Sequence, residues 1–350
     1  MDNQTILKKD KLGLPGILRQ SLSIAGKNPK LLLFTLLTSF PLFLSLLIFE
    51  FLFHETLLNS VDTLLSDDAP HATYCNGNIC SFTISSYSRW NQPFSSTRVI
   101  AEHYHRFVLL GLVYLILVHT LDLLNTILIL CHSSALYAGD TLQSVKAFLL
   151  RPIKDFSFKG PLITSLYALG LSTLVTVGLI SLGSHVWMHG PWPRFPFFMG
   201  YDFYSFRRWD EFIAAFVLML LFGGAFLALL IKYIEWSSVW KVGIVISVLE
   251  EKHGHIAIGV AAYISRECRR RGFLLMLPFF LWRLGLRFIC LYLTWANNWG
   301  RSAMIAQVLG VCLSNLLMWV VLLVYHCDCK RRLLEKKMDV EGGGKPVLHQ

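Results

Sequence analysis

The residues of greatest chemical interest in this chain are polar and ionisable side chains that lie inside long apolar segments. His119, Asp122 and Asn125 are spaced i, i+3 and i+6, which places them on one stripe of a helix. Arg283 and Arg287 are four positions apart in another apolar segment. Because charged groups are costly inside a membrane, they mark functional sites by default. Such a set could bind a polar substrate or carry a proton.

The depth of these residues predicts that they form one intramembrane polar layer. Asp122 lies nine residues from the inner end of its segment and Arg283 ten residues from the inner end of its own. At about 1.5 Å per residue, the two share a level. Asn315 lies at the same level, whereas His119 and Arg287 lie about one turn further out. We expect a buried Asp122–Arg283 pair capped by Asn315, with His119 close by.

Three interpretations of this layer remain open from the sequence. It could fix the register of packed helices, it could be a site for a polar substrate or a proton, or its arginines could extend toward water.

Six apolar runs must position these side chains. The chain is 54% hydrophobic and only 15% charged, whereas soluble domains are about a quarter charged. A helix needs about 20 apolar residues to cross the hydrocarbon. The sequence therefore predicts an all-α integral membrane protein with a transmembrane domain over 31–325, a cytosolic tail over 1–30 with an interfacial helix, and a basic, then disordered tail over 326–350. The predicted spans are 31–53, 107–131, 162–186, 212–231, 273–293 and 304–325.

Charge on the connectors predicts the orientation. Lysine and arginine number 23 on the tails and connectors of one side and seven on those of the other. Basic residues favour the cytosolic side, so both termini are expected in the cytosol of a secretory endomembrane or plasma membrane protein. The net charge of +10 then reflects contact with the bilayer and its anionic lipids, and we expect no nucleic-acid partner.

A short loop on the opposite side contains two cysteines. Cys75 and Cys80 flank four residues that include Asn76-Gly77, and Asn-Gly is a strong signal for a hairpin turn. In an oxidising lumen, a Cys75–Cys80 disulfide is expected, with two free thiols as the alternative.

The connector 236–272 is the most distinctive segment outside the predicted spans. Its two apolar pieces are each too short to cross a membrane and are separated near Gly254. We expect a cytosolic elbow of two short amphipathic helices, followed by a run of arginines that could bind anionic lipid or a protein partner. Ordinary topogenic charge is the alternative. The run contains Arg266, Arg269, Arg270 and Arg271.

No pattern typical of an enzyme occurs in the chain. Phosphate loops, zinc-protease helices and nucleophile elbows are absent from the sequence,. We therefore expect no catalytic residues, no cofactor and no metal site. Cys327 and Cys329 stand beside basic residues, a pattern typical of palmitoylation, with unmodified thiols as the alternative.

The connector carries a resemblance to a known family. The sequences WKVGIVISVLEEKHG from Trp240 and SRECRRRG from Ser265 resemble the signature of a plant family of uncharacterised six-span membrane proteins. The chain departs from that signature at Lys241-Val242, where Asn-Met is expected, and at Glu267-Cys268, where two uncharged polar residues are expected. Either departure could alter a partner contact. Because the family's function is not established, the resemblance implies a fold and no site residues.

The sequence thus favours a non-enzymatic membrane-organising or adaptor protein. The alternative is a small-solute or lipid transporter that uses the polar layer around Asp122 and Arg283, which would require a water-filled cavity at that level.

Overall fold

The structure is a computed structural model in which helices make up almost all of the described chain. It describes residues 13–27, 29–67, 75–76, 79–80, 94–138, 158–189, 209–250, 252–296 and 300–342. The helices, in chain order, are α1 (Leu14–Lys27), α2 (Pro29–Asp67), α3 (Phe94–Ala138), α4 (Lys159–His189), α5 (Trp209–Leu249), α6 (Gly254–Ile264), α7 (Arg269–Ala296) and α8 (Gly300–Gly342).

Six of these helices are long and apolar enough to cross a bilayer. The stretches that contain these apolar runs, together with the polar residues at their ends, are Thr35–Phe53 in α2, Val108–Ala138 in α3, Lys159–Val186 in α4, Phe216–Leu249 in α5, Arg269–Leu293 in α7 and Arg301–Lys336 in α8. The predicted class, an all-α multi-span membrane protein, is confirmed. Its helices necessarily contact lipid along their apolar faces.

Helix α8 is the centre of the bundle. In its most apolar stretch 72% of the residues are buried, against 33% or less in the other five spans. Helices α1, α2, α3, α5, α6 and α7 all contact it. Helices α4 and α5 instead form a hairpin along most of their length, where Gly178 packs against Leu229 and Gly183 faces Phe226.

The tightest packing lies at one end of the bundle, where α1, α6 and the last turns of α8 meet. We call this the basic end. Burying apolar side chains is the main stabilising term in folding, and here the fully buried residues come from six helices. They include Ile17, Ile129, Leu130, Val242, Val245, Ile246, Ala257, Leu275, Leu322 and Leu323.

Helix α5 differs from the prediction in its length. The fourth span was expected to end near residue 231, with a separate surface helix beyond it. Instead one helix of 41 residues runs without a break to Leu249. Val242, Val245 and Ile246 are fully buried, because this stretch is apolar on every face and therefore packs inside the protein. At about 60 Å, α5 is twice as long as the hydrocarbon is thick.

The extra length of α5 packs against α7 and α8. A side chain at Gly272 of α7 would touch both Ser238 and Tyr325, so these two residues share a level. Twelve residues further on, Glu250 accepts a hydrogen bond from Lys330 of α8 at 2.8 Å. Lys241, which lies between these two positions of α5, reaches Met318 of α8. The last turns of α5 therefore contact α8 between Met318 and Lys330.

The elbow proper is the short helix α6. Gly254 begins it with φ of 60°, a conformation that glycine adopts without steric cost. Its N–H donates to the Thr164 hydroxyl of α4 at 2.8 Å. Gly243 of α5 lets Ile258 of α6 approach closely. The expected break at Gly254 is present, and it separates α6 from α5.

Two smaller elements, a short helix and a hairpin, complete the described chain. Helix α1 covers the region expected to form an interfacial helix, but Ile17 and Ser21 are fully buried, because α1 packs against α8. Strands β1 (Cys75–Asn76) and β2 (Ile79–Cys80) pair antiparallel with Cys75 opposite Cys80. The expected hairpin is therefore present, and the Cys75–Cys80 disulfide stays a prediction.

We predict that Gly272→Ala destabilises the close contact between α5, α7 and α8. The added carbon would lie 2.8 Å from the hydroxyls of Ser238 and Tyr325, and such overpacking costs about 1–3 kcal/mol. Thermal unfolding in detergent should show a lower midpoint. Gly285→Ala on the same helix is the matched control, because nothing lies within 4 Å of its added carbon. Equal behaviour of the two variants would contradict this close contact.

Candidate functional site

The candidate site is the polar layer, and its centre is an amide placed between two charges. Asn315 of α8 donates through Nδ2 to Asp122 Oδ1 of α3 at 2.8 Å. Arg283 of α7 donates through Nη2 to Asn315 Oδ1 at 3.2 Å. The three residues expected to share a level do so. The arrangement differs from the expected buried pair in two ways. Asn315 bridges Asp122 and Arg283 instead of capping a direct pair, and Arg283 is exposed instead of buried.

An asparagine suits this position because its amide is both donor and acceptor. The NH₂ group meets the carboxylate and the carbonyl oxygen meets the guanidinium. Asn315 is 5% exposed, so an unpaired polar atom there would be costly. One neutral side chain thus satisfies two opposite charges that come from two other helices.

The layer extends from α3 to further spans. Asn125 accepts a hydrogen bond from Ser39 of α2 at 2.9 Å. His119 lies 3.3 Å from the Ser165 hydroxyl of α4, where the expectation placed it only near Asp122. The stripe His119, Asp122 and Asn125 therefore makes polar contacts with α2, α4 and α8.

Lys241 belongs to the layer, and the sequence interpretation missed it. It was counted among the connector charges, but it lies on the unbroken part of α5, and its Nζ contacts the Met318 sulfur of α8 at 3.1 Å. It is also close enough to Asp122 and Arg283 for their charges to act on it. The available signal was the absence of a helix-breaking residue between 232 and 249, apart from Gly243. With Lys241, each of the six spans contributes to the layer.

A second ion pair lies one turn away from the centre. Arg287 of α7 pairs with Glu50 of α2. Tyr114 is close enough to both for their charges to act on it, and its ring meets Phe49 edge-on at 5.1 Å. Glu50 was the only carboxylate in the predicted first span, and the sequence interpretation did not use it. Arg287 thus has its own partner, separate from Asp122.

The arginine run at the basic end is divided in two. Arg269 lies 3.9 Å from Glu235 of α5, and Arg271 lies 3.6 Å from the buried Asp328 of α8. Arg266 and Arg270 are exposed. Two of the four candidate ligand-binding arginines are therefore paired with carboxylates of neighbouring helices.

Glu250 joins the end of α5 to α8. It accepts a hydrogen bond from Lys330 at 2.8 Å and lies 3.4 Å from His326 Nε2. Hydrogen bonding to His326, with Lys330 adding to it against the opposing effect of burial, lowers the pKa of Glu250 to about 2. The carboxylate is thus firmly ionised at neutral pH.

Other chemistry has little support in the described residues. No group of three metal-ligating side chains occurs in the part of the chain that the structure describes. A cleft of about 530 Å³ between α4 and α5 has an apolar lining, including Met219, Phe226 and Leu227. Cys327 and Cys329 are 1% and 2% exposed, and this burial opposes palmitoylation of either thiol.

We predict that the energetic coupling between Asp122 and Arg283 runs through Asn315. Residues of one hydrogen-bond network typically couple by about 0.5–3 kcal/mol. A double-mutant cycle of Asp122→Asn and Arg283→Gln, measured by unfolding in detergent, should show such coupling. Asn315→Leu should abolish it. Arg287→Gln is the control and should combine additively with Asp122→Asn. Coupling that persists unchanged in Asn315→Leu would contradict the bridge.

We predict that Glu250→Gln lowers stability at neutral pH. The pKa of this carboxyl falls from its ordinary 4.5 to about 2 in the folded protein. Its contribution is therefore complete above about pH 4.5 and is lost as pH falls toward 2. Unfolding midpoints at pH 7 and pH 3 should show the deficit of the variant shrinking at pH 3. Glu267→Gln, at an exposed ion pair with Lys336, should have little effect at either pH. An equal deficit at both pH values would contradict this role.

Comparison with known proteins finds no family model, no curated protein and no solved structure that matches the chain. The function of this multi-pass membrane protein is therefore argued from the polar layer and the basic end themselves.

Proposed function

We propose that this multi-pass membrane protein is a non-enzymatic membrane-organising or adaptor component. In this proposal the polar layer fixes the register of the spans, and the basic end contacts lipid or a partner. The single observation that carries it is the bridge from Asp122 through Asn315 to Arg283. The polar atoms of these three residues bond to neighbouring helices, as is required of residues that fix the register of packed spans.

The pairing of the other members supports the same proposal. His119 meets Ser165, Asn125 meets Ser39, and Arg287 meets Glu50. Polar groups that satisfy one another across helices stabilise a single arrangement of those helices. A transporter site instead keeps groups available to substrate and water near the bilayer midplane.

The proposed orientation places the basic end in the cytosol. Helix α1 and the last turns of α8 lie at this end, together with the arginine run. The excess of lysine and arginine on the corresponding connectors favours the cytosolic side. The proposed location is a secretory endomembrane or the plasma membrane, and the resemblance to the plant six-span family is part of the same proposal.

A second candidate is a small-solute or lipid transporter. One observation favours it: Lys241 and Arg283 place two basic groups near the single carboxylate of Asp122. An excess of positive charge at this depth would suit an anionic substrate. Water access to the layer distinguishes the two candidates.

We predict that the polar layer is closed to water. Single cysteines at Val118, His119, Asp122 and Arg283, in a protein without its native cysteines, should resist a membrane-impermeant thiol reagent applied to either side of sealed membranes. Cysteine at Lys336, where the side chain is 63% exposed, should react from the cytosolic side. Cysteine at Ile116, 69% exposed toward lipid, is the unreactive control.

Each outcome of the labelling experiment has a definite meaning. Reaction at the four layer positions, with Ile116→Cys unreactive, would establish a water path and replace the adaptor with the transporter. Reaction of Lys336→Cys from the opposite side would overturn the orientation.

A further inference from the structure

The carboxylates at the basic end are already occupied by basic side chains. Five have side chains that the structure describes, and each has at least one basic partner within 4.0 Å. The contacts are Glu235 with Lys232 and Arg269, Glu250 with Lys252, His326 and Lys330, Glu267 with Lys336, Asp328 with Arg271 and Arg332, and Glu335 with Arg331. A basic residue at this end without such a carboxylate has its donors available to water or to a ligand.

Arg266 and Arg270 are not among these ion pairs. Both are exposed, and among the described residues neither has a carboxylate within salt-bridge distance. They are four positions apart across the short turn that joins α6 to α7, where Cys268 N–H bonds to the Ser265 carbonyl at 2.9 Å. A guanidinium presents five N–H donors in a planar fork that suits phosphate.

The position of these arginines matches the depth of lipid headgroups. The apolar run of α7 begins at Phe273, so Arg270 stands about one turn before the hydrocarbon. Helix α6, with 11 residues, is too short to cross the membrane. It buries Ala257 and Ala261 against the protein, while Tyr263 is 57% and Ile256 is 55% exposed. An exposed tyrosine and isoleucine beside arginines are typical of a helix face at the bilayer interface.

We propose that Arg266 and Arg270, with Tyr263 beside them, bind the phosphate of an anionic phospholipid in the leaflet that faces the basic end. The proposal rests on the proposed function and narrows it, because it assigns lipid recognition to two arginines of the run. Arg269 and Arg271 have a different task, since they hold Glu235 and Asp328. The ligand is a lipid of the protein's own bilayer, because Tyr263 and Ile256 are exposed on the helix that precedes the arginines.

The experiment compares two double variants that remove the same charge. The full-length protein, purified in detergent, is titrated with short-chain phosphatidylinositol 4-phosphate, with phosphatidylcholine as the neutral reference, and bound lipid is counted by native mass spectrometry. Each basic residue near the surface contributes about 1 kcal/mol to the attraction of anionic lipid. The double variant Arg266→Gln with Arg270→Gln should therefore weaken anionic lipid binding about tenfold to thirtyfold. Its unfolding midpoint should stay unchanged.

The matched control is Arg269→Gln with Arg271→Gln. It should unfold at a lower temperature because Glu235 and Asp328 lose partners, but it should keep most of its anionic lipid binding. Equal weakening by both double variants would show that binding follows net charge, and undiminished binding in both would show that the elbow holds no lipid. Either result overturns the proposal.

Two further arms test the source of the phosphate. Inorganic phosphate at matched concentration should not displace the lipid, and displacement would indicate a site for a soluble anion. Binding of a phosphopeptide that depends on Arg266 and Arg270, without lipid binding, would assign the surface to a protein partner. Each of these results would overturn the lipid assignment. None of these lipid-binding results affects the cysteine labelling of the polar layer, which tests the proposed function independently.

Discussion

The cost of a charge inside the bilayer is the constraint on which the rest of this structure depends. Asp122 and Arg283 come from helices far apart in sequence, and Asn315 of the central helix satisfies both. An uncompensated charge at this depth would be strongly unfavourable, so the three helices are held in one vertical register. The same stripe of α3 meets Ser39 and Ser165, and the restriction therefore extends to α2 and α4.

The long helix α5 connects this layer to the basic end. Lys241 reaches the layer, whereas Glu250, nine positions later, is bound to the last turns of α8. Between these two contacts α5 packs against α8, and near their start Gly272 of α7 carries no side chain where Ser238 and Tyr325 approach it. The polar layer and the elbow are thus joined by one continuous helix.

Sequence reasoning predicted the spans well because hydrocarbon thickness sets their length and composition. It also brought Asp122, Arg283 and Asn315 to one level, since helix rise is constant. It missed Lys241 and treated 242–249 as a surface helix, because span counting assumes that a helix ends where the hydrocarbon ends. The apolar stretch was buried by protein instead of lipid, and hydropathy does not distinguish these two environments. The burial of α1 was missed for the same reason.

Arginine has three different tasks in this chain, and its environment decides which one. Arg283 is held by an amide in the polar layer, Arg271 by a buried carboxylate, and Arg270 is exposed at the elbow. Only a guanidinium whose donors are not already used by the protein can offer them to a ligand. A run of arginines is therefore not a binding site as a whole. The geometry of its carboxylate partners selects Arg266 and Arg270 from the run, and that selection makes lipid recognition separable by mutation from the stability of the bundle.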